Sequence, residues 1–146
     1  MNIRTGAVAI VVRNFPEGKK FLIGLNAKYD NKFLGGKWGI IGGHKEPGEE
    51  VQVASERELL EETGLRGRAT LLLDVYHRAS FIGNELRDTV VYYFIIEEED
   101  PTQEPVPGQD IEETRFVTAV EFAELIGDRV EQSRIPPAIW KYLLAL

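Results

Sequence analysis

The 146-residue sequence contains no cysteine. Disulfides and thiolate metal sites are therefore excluded, and a reducing, cytoplasmic setting is the default expectation. His44 and His77 are the only histidines, and two isolated imidazoles without cysteine do not make a zinc site. No apolar run approaches the roughly 18 residues that a membrane span needs, and no signal peptide is expected before the first apolar stretch. Positive charge is also in deficit: 17 Lys and Arg stand against 24 Asp and Glu, for a net charge of −7. That balance argues against general nucleic-acid binding, which needs a basic surface. It does not argue against a phosphorylated substrate, because divalent ions held among carboxylates reverse the local sign.

What is present is ordinary for a soluble globular protein, with 43% hydrophobic and 28% charged residues. The length predicts one domain over residues 1–146, with a sizeable core. Residues 5–13 (TGAVAIVVR) form a nearly continuous apolar run, as a strand buried on both faces does. A turn at 14–18 leads to a second strand over 20–25, and 26–37 is a polar loop carrying Tyr29, Phe33 and a Gly-Gly pair. Residues 38–41 make a short strand that delivers the chain into Gly42-Gly43. Further on, strands are expected over 68–77, 88–96 and 113–117, and helices over 120–126 and from about Pro136-Pro137 onward. Ile139, Leu143 and Leu146 share one face of that last helix. Residues 97–110, acidic and proline-bearing, read as a loop.

Between these lies the most informative stretch, residues 43–65, GHKEPGEEVQVASERELLEETGL. A helix is predicted over 49–63: Pro47-Gly48 is a turn signal, Glu49 and Glu50 suit the positive helix start, and Gly64 suits a left-handed end. Glu58, Glu61 and Glu62 then share one arc, while Val53 and Leu60 point to the opposite side, where a sheet is expected to cover them. Three carboxylates on one arc repel one another by a few tenths of a kcal/mol per pair. A divalent cation would relieve that repulsion, and hard carboxylate oxygens suit Mg²⁺ or Mn²⁺.

The full spacing is Gly43, five residues, Glu49, seven residues, then Arg57-Glu58-Leu59-Leu60-Glu61-Glu62-Thr63-Gly64-Leu65. In this the chain resembles the Nudix hydrolases, and in particular the MutT-like pyrophosphohydrolases. Seven fixed residues would coincide by chance on the order of once in 10⁹ placements. One flanking feature departs from the family: its members usually carry proline before the paired glycines, where this chain has Ile41.

The resemblance implies an α/β fold, an α/β/α sandwich around a central mixed sheet. It also implies metal-dependent hydrolysis of the diphosphate linkage in a nucleoside di- or triphosphate derivative. By the same resemblance Glu58, Glu61, Glu62 and the carbonyl of Gly42 bind metal, Mg²⁺ with Mn²⁺ as substitute, and Glu49 and Arg57 support them. In the family the general base is either a glutamate of this motif or one on a later loop; Glu58 is the first candidate here, with Glu112 or Glu113 as the loop alternative. Gly43, His44, Trp38 and Tyr29 are candidates for substrate contact, with Phe33, Tyr76 and Phe81 as further stacking surfaces. Lys28, Lys37, Lys45, Arg78 and Arg87 are candidates for phosphate contact. The partner is a small-molecule nucleotide rather than a membrane, and the sequence leaves a homodimer open. Rival readings are an ADP-ribose or nucleotide-sugar pyrophosphatase and a non-catalytic nucleotide-sensing module.

Overall fold

The computed structural model describes residues 2–27, 36–127 and 135–146; Tyr29, Phe33 and Lys28 lie outside the described residues. The elements in order are β1 (Asn2–Ile10), β2 (Val12–Phe15), β3 (Gly18–Asn26), β4 (Trp38–Ile40), β5 (Gly42–His44), α1 (Val51–Thr63), β6 (Gly67–Ile82), β7 (Glu85–Glu98), β8 (Ile111–Val117), α2 (Ala119–Ile126) and α3 (Pro137–Leu144).

The run expected as one strand over 5–13 is divided at Val11, because the chain there passes from one sheet to another. A first sheet has the order β5-β1-β7-β6, and in a second β3 pairs with β2, β4 and β8. Only the β1–β7 pair of the first sheet is parallel, so that sheet is mixed. The chain makes the same passage again at Ile41. Backbone bonds from Ala9 N–H to Ile41 O (2.8 Å) and from Leu22 N–H to Val11 O (3.0 Å) stitch the two crossing points. Ile41, the residue in the usual proline position, is 1% exposed and packs into the core.

Alternation along β1 and β3 builds two cores. Ala9, Val11 and Leu22 turn to one side with Ile41, Leu59 and Leu65, under α1. Ile10, Phe21 and Ile23 turn to the other side, where Phe122, Ile126, Ile139 and Leu143 of α2 and α3 cover them. The layers are thus helix, sheet, helix, as expected. Thr118 caps α2 by accepting from Glu121 N–H, while Glu121 returns a bond to Thr118 N–H.

Two expectations are corrected. Helix α1 begins at Val51 rather than at 49, since Gly48 is left-handed (φ 76°) and Glu50 is extended. Its buried residues are Ala54, Ser55, Leu59, Glu62 and Thr63, whereas Val53 and Leu60 are 44% and 36% exposed. The helix is rolled so that part of its acidic arc, and not the arc's opposite, lies against the sheet.

The loop 99–110 is also more than a solvated acidic connection. Its backbone runs along the end of α1: Val106 N–H donates to Thr63 O (2.9 Å), Gly108 N–H to Glu62 O (2.8 Å) and Gln109 N–H to Glu61 O (3.0 Å). These bonds satisfy carbonyls that a helix end leaves open. Arg13 holds the loop's start, with Nε on Glu98 Oε2 (2.9 Å) and Nη2 on Gln103 O (2.7 Å).

Candidate active site

The site is assembled where β5 meets α1. Gly42 and Gly43 stand opposite Val8 and Ala7 of β1. A Cβ on Gly42 would lie 2.6 Å from Ala7 O and 2.9 Å from Val8 Cα, so only glycine lets the strands approach this closely. A Cβ on Gly43 would lie 2.5 Å from Glu58 Cδ. The Glu58 carboxylate therefore rests directly on the Gly43 backbone, in space that any side chain would fill.

Arg57 gathers the carboxylates. Its Nε donates to Glu49 Oε2 (2.7 Å) and its Nη2 to Glu49 Oε1 (3.1 Å), a two-pronged pair. Nη2 also donates to the His44 carbonyl (3.0 Å). Nη1 reaches both Glu58 Oε1 (3.1 Å) and Glu61 Oε2 (3.0 Å). Glu49 is fixed from its other side by Glu46 N–H at 3.0 Å. The hydrogen bonds from Arg57, followed by that from Glu46 N–H, hold the Glu49 carboxyl below the usual range, and Glu49 in turn raises the guanidinium above its own. Glu62 follows one residue on and is 7% exposed.

The structure thus brings together Gly42, Gly43, the His44 backbone, Glu49, Arg57, Glu58 and Glu61, with Glu62 on the buried side of the same helix turn. Trp38 is elsewhere: its ring packs on the α2/α3 core beneath the Arg115 guanidinium, 4.8 Å from the ring centroid. Tyr76 also packs against that core, and Phe81 is exposed. His77 bonds Asp88 (3.0 Å), and Lys45 Nζ donates to the Glu46 carbonyl. Glu112 and Glu113 begin β8 and are exposed, Glu113 pairing with Arg115 at 3.4 Å. A groove of about 630 Å³ runs along the other flank of α1, lined by Val53, Leu60, Arg66 and Arg68; among the described residues, Arg57 alone of the expected site reaches it.

Two contributors were not legible beforehand. One is the loop residue pair Gly108-Gln109, whose N–H groups anchor the turn bearing Glu61 and Glu62. The other is Glu46, acting through its backbone. Gly108 was the only signal for the first, and a backbone donor leaves none in sequence.

Among the described residues, no three Asp, Glu or His side chains converge closely enough here to enclose an ion. The donor set nonetheless fits a hard divalent cation: the oxygens are carboxylates, Glu58 lies against open glycine backbone, and a cation in the form of Arg57 already draws Glu58 and Glu61 together.

The chain belongs to the Nudix family, whose NUDIX domain model matches residues 3–138, and with it to the hydrolases of phosphoric anhydride bonds. No curated protein matches the sequence. Solved structures with this fold include a MutT protein from Methanosarcina mazei Go1, at 18% identity and a TM-score of 0.70, covering 97% of this chain and 90% of that one. An Ap4A hydrolase of C. elegans, solved as a binary complex, is 16% identical with a TM-score of 0.63, covering 98% and 99% of the two chains. The NUDIX domain of Shewanella oneidensis NrtR, solved with ADP ribose, is 15% identical with a TM-score of 0.65, covering 86% and 79%.

Proposed function

We propose that residues 1–146 form one catalytic unit that hydrolyses the diphosphate linkage of a nucleoside di- or triphosphate derivative, with water attacking phosphorus. The observation that carries this reading is the Glu58 carboxylate seated on the Gly43 backbone and tied to Arg57. Glu58, Glu61, Glu62 and the Gly42 carbonyl would hold Mg²⁺, or Mn²⁺ in its place. When bound, such an ion lowers the pKa of water and offsets charge growing on the leaving phosphate.

The chain's own residues do the rest. Glu58 accepts the proton of the attacking water, since it is the carboxylate nearest the open glycine edge. Arg57 fixes the directions of Glu49, Glu58 and Glu61. Gly42 and Gly43 keep the edge free of side chains, so that a phosphate chain can lie against backbone. Phosphorus NMR of products formed in ¹⁸O-labelled water from a panel of nucleotides tests the reading. Two phosphorylated or phosphate products, with label on one phosphorus, are expected. No turnover of any diphosphate-containing nucleotide would overturn it. The likeness to a NUDIX domain solved with ADP ribose favours a second reading, cleavage of ADP-ribose or a nucleotide sugar, which the same panel separates.

Arg57 makes the support role testable. Arg57→Lys keeps the charge but loses the two-pronged hold on Glu49. Turnover should fall about 10–100-fold, or the Mg²⁺ requirement should rise, with nucleotide affinity little moved. Separate titrations of Mg²⁺ and nucleotide check this. A defect confined to substrate affinity would instead mean that Arg57 grips the phosphates.

A further inference from the structure

The first sheet ends on β6, and among the described residues no strand pairs with its outer edge. An open edge offers unpaired N–H and C=O groups to another chain. The start of β6 is closed: Ala69 N–H donates to Glu56 Oε2 (2.8 Å), and the register with β7 shifts twice between Ala69 and Asp74. From Asp74 to Ile82 the register is unbroken. Val75 stands opposite Tyr92, which packs on the core under α1, so this side of the strand is the α1 side. There Val75, His77, Ala79 and Phe81 are all exposed, Phe81 by 72%.

A second copy fits this edge in one register. An antiparallel pair about a twofold axis continues each face of the sheet, so residues that meet must come from the same face. With the axis at Tyr76, Asp74 stands opposite Arg78 of the second copy, and Arg78 opposite its Asp74. Two opposite-charge pairs result. Axes at Asp74 or at Arg78 would set like charges against each other, and axes at Val75 or His77 would leave both charges unmatched. Asp74 and Arg78 alternate with Val75 and His77 and so project away from α1. Arg78, expected as a phosphate contact, therefore does not face Glu58.

The same axis fills the groove along α1. Position along the sheet can be counted on β7. Tyr76 is level with Val91, Phe81 with Leu86 five places one way, and Ala69 with Ile96 five places the other way. Phe81 of the second copy thus arrives level with Ala69, about 17 Å from the axis and on the α1 side. The groove of about 630 Å³ opens there, lined by Glu56, Gly67 and Arg68 with Val53 and Leu60. Val53 and Leu60 are the apolar residues that α1 leaves outside its own sheet. An exposed ring on each copy meets an exposed aliphatic pair on the other, and each covers what its own chain leaves bare.

We propose that two copies of this chain associate through antiparallel β6 edges about a twofold axis at Tyr76, with Phe81 of each seated in the groove beside α1 of the other. The two four-stranded sheets then run on as one, β5-β1-β7-β6 followed by the same order reversed. The glycine edges on β5 stand at the two outer ends, open to substrate. The association stands apart from the hydrolase reading.

Sedimentation of the full chain should show a reversible dimer of twice the 16.5 kDa chain mass. Asp74→Arg and Arg78→Asp, each alone, should raise the dimer Kd about tenfold or more. Mixing the two variants should restore association, because each substituted residue then meets its opposite charge. Phe81→Ser should also weaken the dimer about tenfold or more. Val75 stands opposite His77 of the second copy, and the chain has no cysteine of its own. Val75→Cys mixed with His77→Cys should therefore form the mixed disulfide faster than either variant forms one with itself. Both positions are exposed, and this pair decides the matter if circular dichroism shows that the charge variants do not fold. A chain that sediments as a monomer up to about 0.5 mM would leave the face to another protein and overturn the proposal. So would a dimer indifferent to charge reversal, or one in which the mixed disulfide is not favoured.

Discussion

Glu62→Gln is expected to lower hydrolysis roughly 100-fold or more while leaving the metal-free protein at least as stable as the wild type. The two halves of this result have separate causes. Replacing the carboxylate by its neutral isostere removes a hard anionic oxygen from the proposed ion site, and with it part of the charge that organises the reaction. In the absence of metal, the same replacement removes a negative charge from a residue that is only 7% exposed, and burial of charge is expensive. It also relieves repulsion from Glu58, four positions back on the helix. Melting temperature in chelator and turnover in Mg²⁺, measured on one preparation, check both halves. A clear fall in metal-free stability together with activity would mark Glu62 as a structural residue instead.

Gly108→Ala should destabilise the fold by about 2–4 kcal/mol, lowering the melting temperature by about 5–15 °C. A Cβ there would fall on the Glu61 carbonyl oxygen, which is helix backbone and has no room to retreat. The loop would have to move away, breaking the Gly108 bond to Glu62 O and the Gln109 bond to Glu61 O. Gln109→Ala is the control, since it keeps the backbone N–H and should change stability by about 0.5 kcal/mol or less. A neutral Gly108→Ala would show that the loop does not anchor the helix end.

The contrast between these two positions shows what a sequence makes legible. The place of Glu62 on one arc of α1 is legible because spacing along a helix is written directly in the chain: Glu58, Glu61 and Glu62 stand at i, i+3 and i+4. Gly108 was not found, because backbone donors carry no side-chain signature and its neighbours in 97–110 look like a solvated acidic loop. The roll of α1 was misread for a related reason. Val53 and Leu60 lie opposite the acids by periodicity, yet Glu62 is pressed toward the sheet beside Leu59, so hydrophobic residues were left outside. Apolar continuity over 5–13 likewise concealed the switch of sheets at Val11, which depends on long-range pairing with Leu22.

Hydrolysis by exhaustively chelated protein, followed by stepwise restoration of Mg²⁺, tests the central claim most directly. If Glu58, Glu61 and Glu62 act by holding a divalent ion, activity on the best substrate of the panel vanishes in chelator and returns saturably with Mg²⁺, and at least partly with Mn²⁺. Undiminished turnover by the chelated protein would contradict the account.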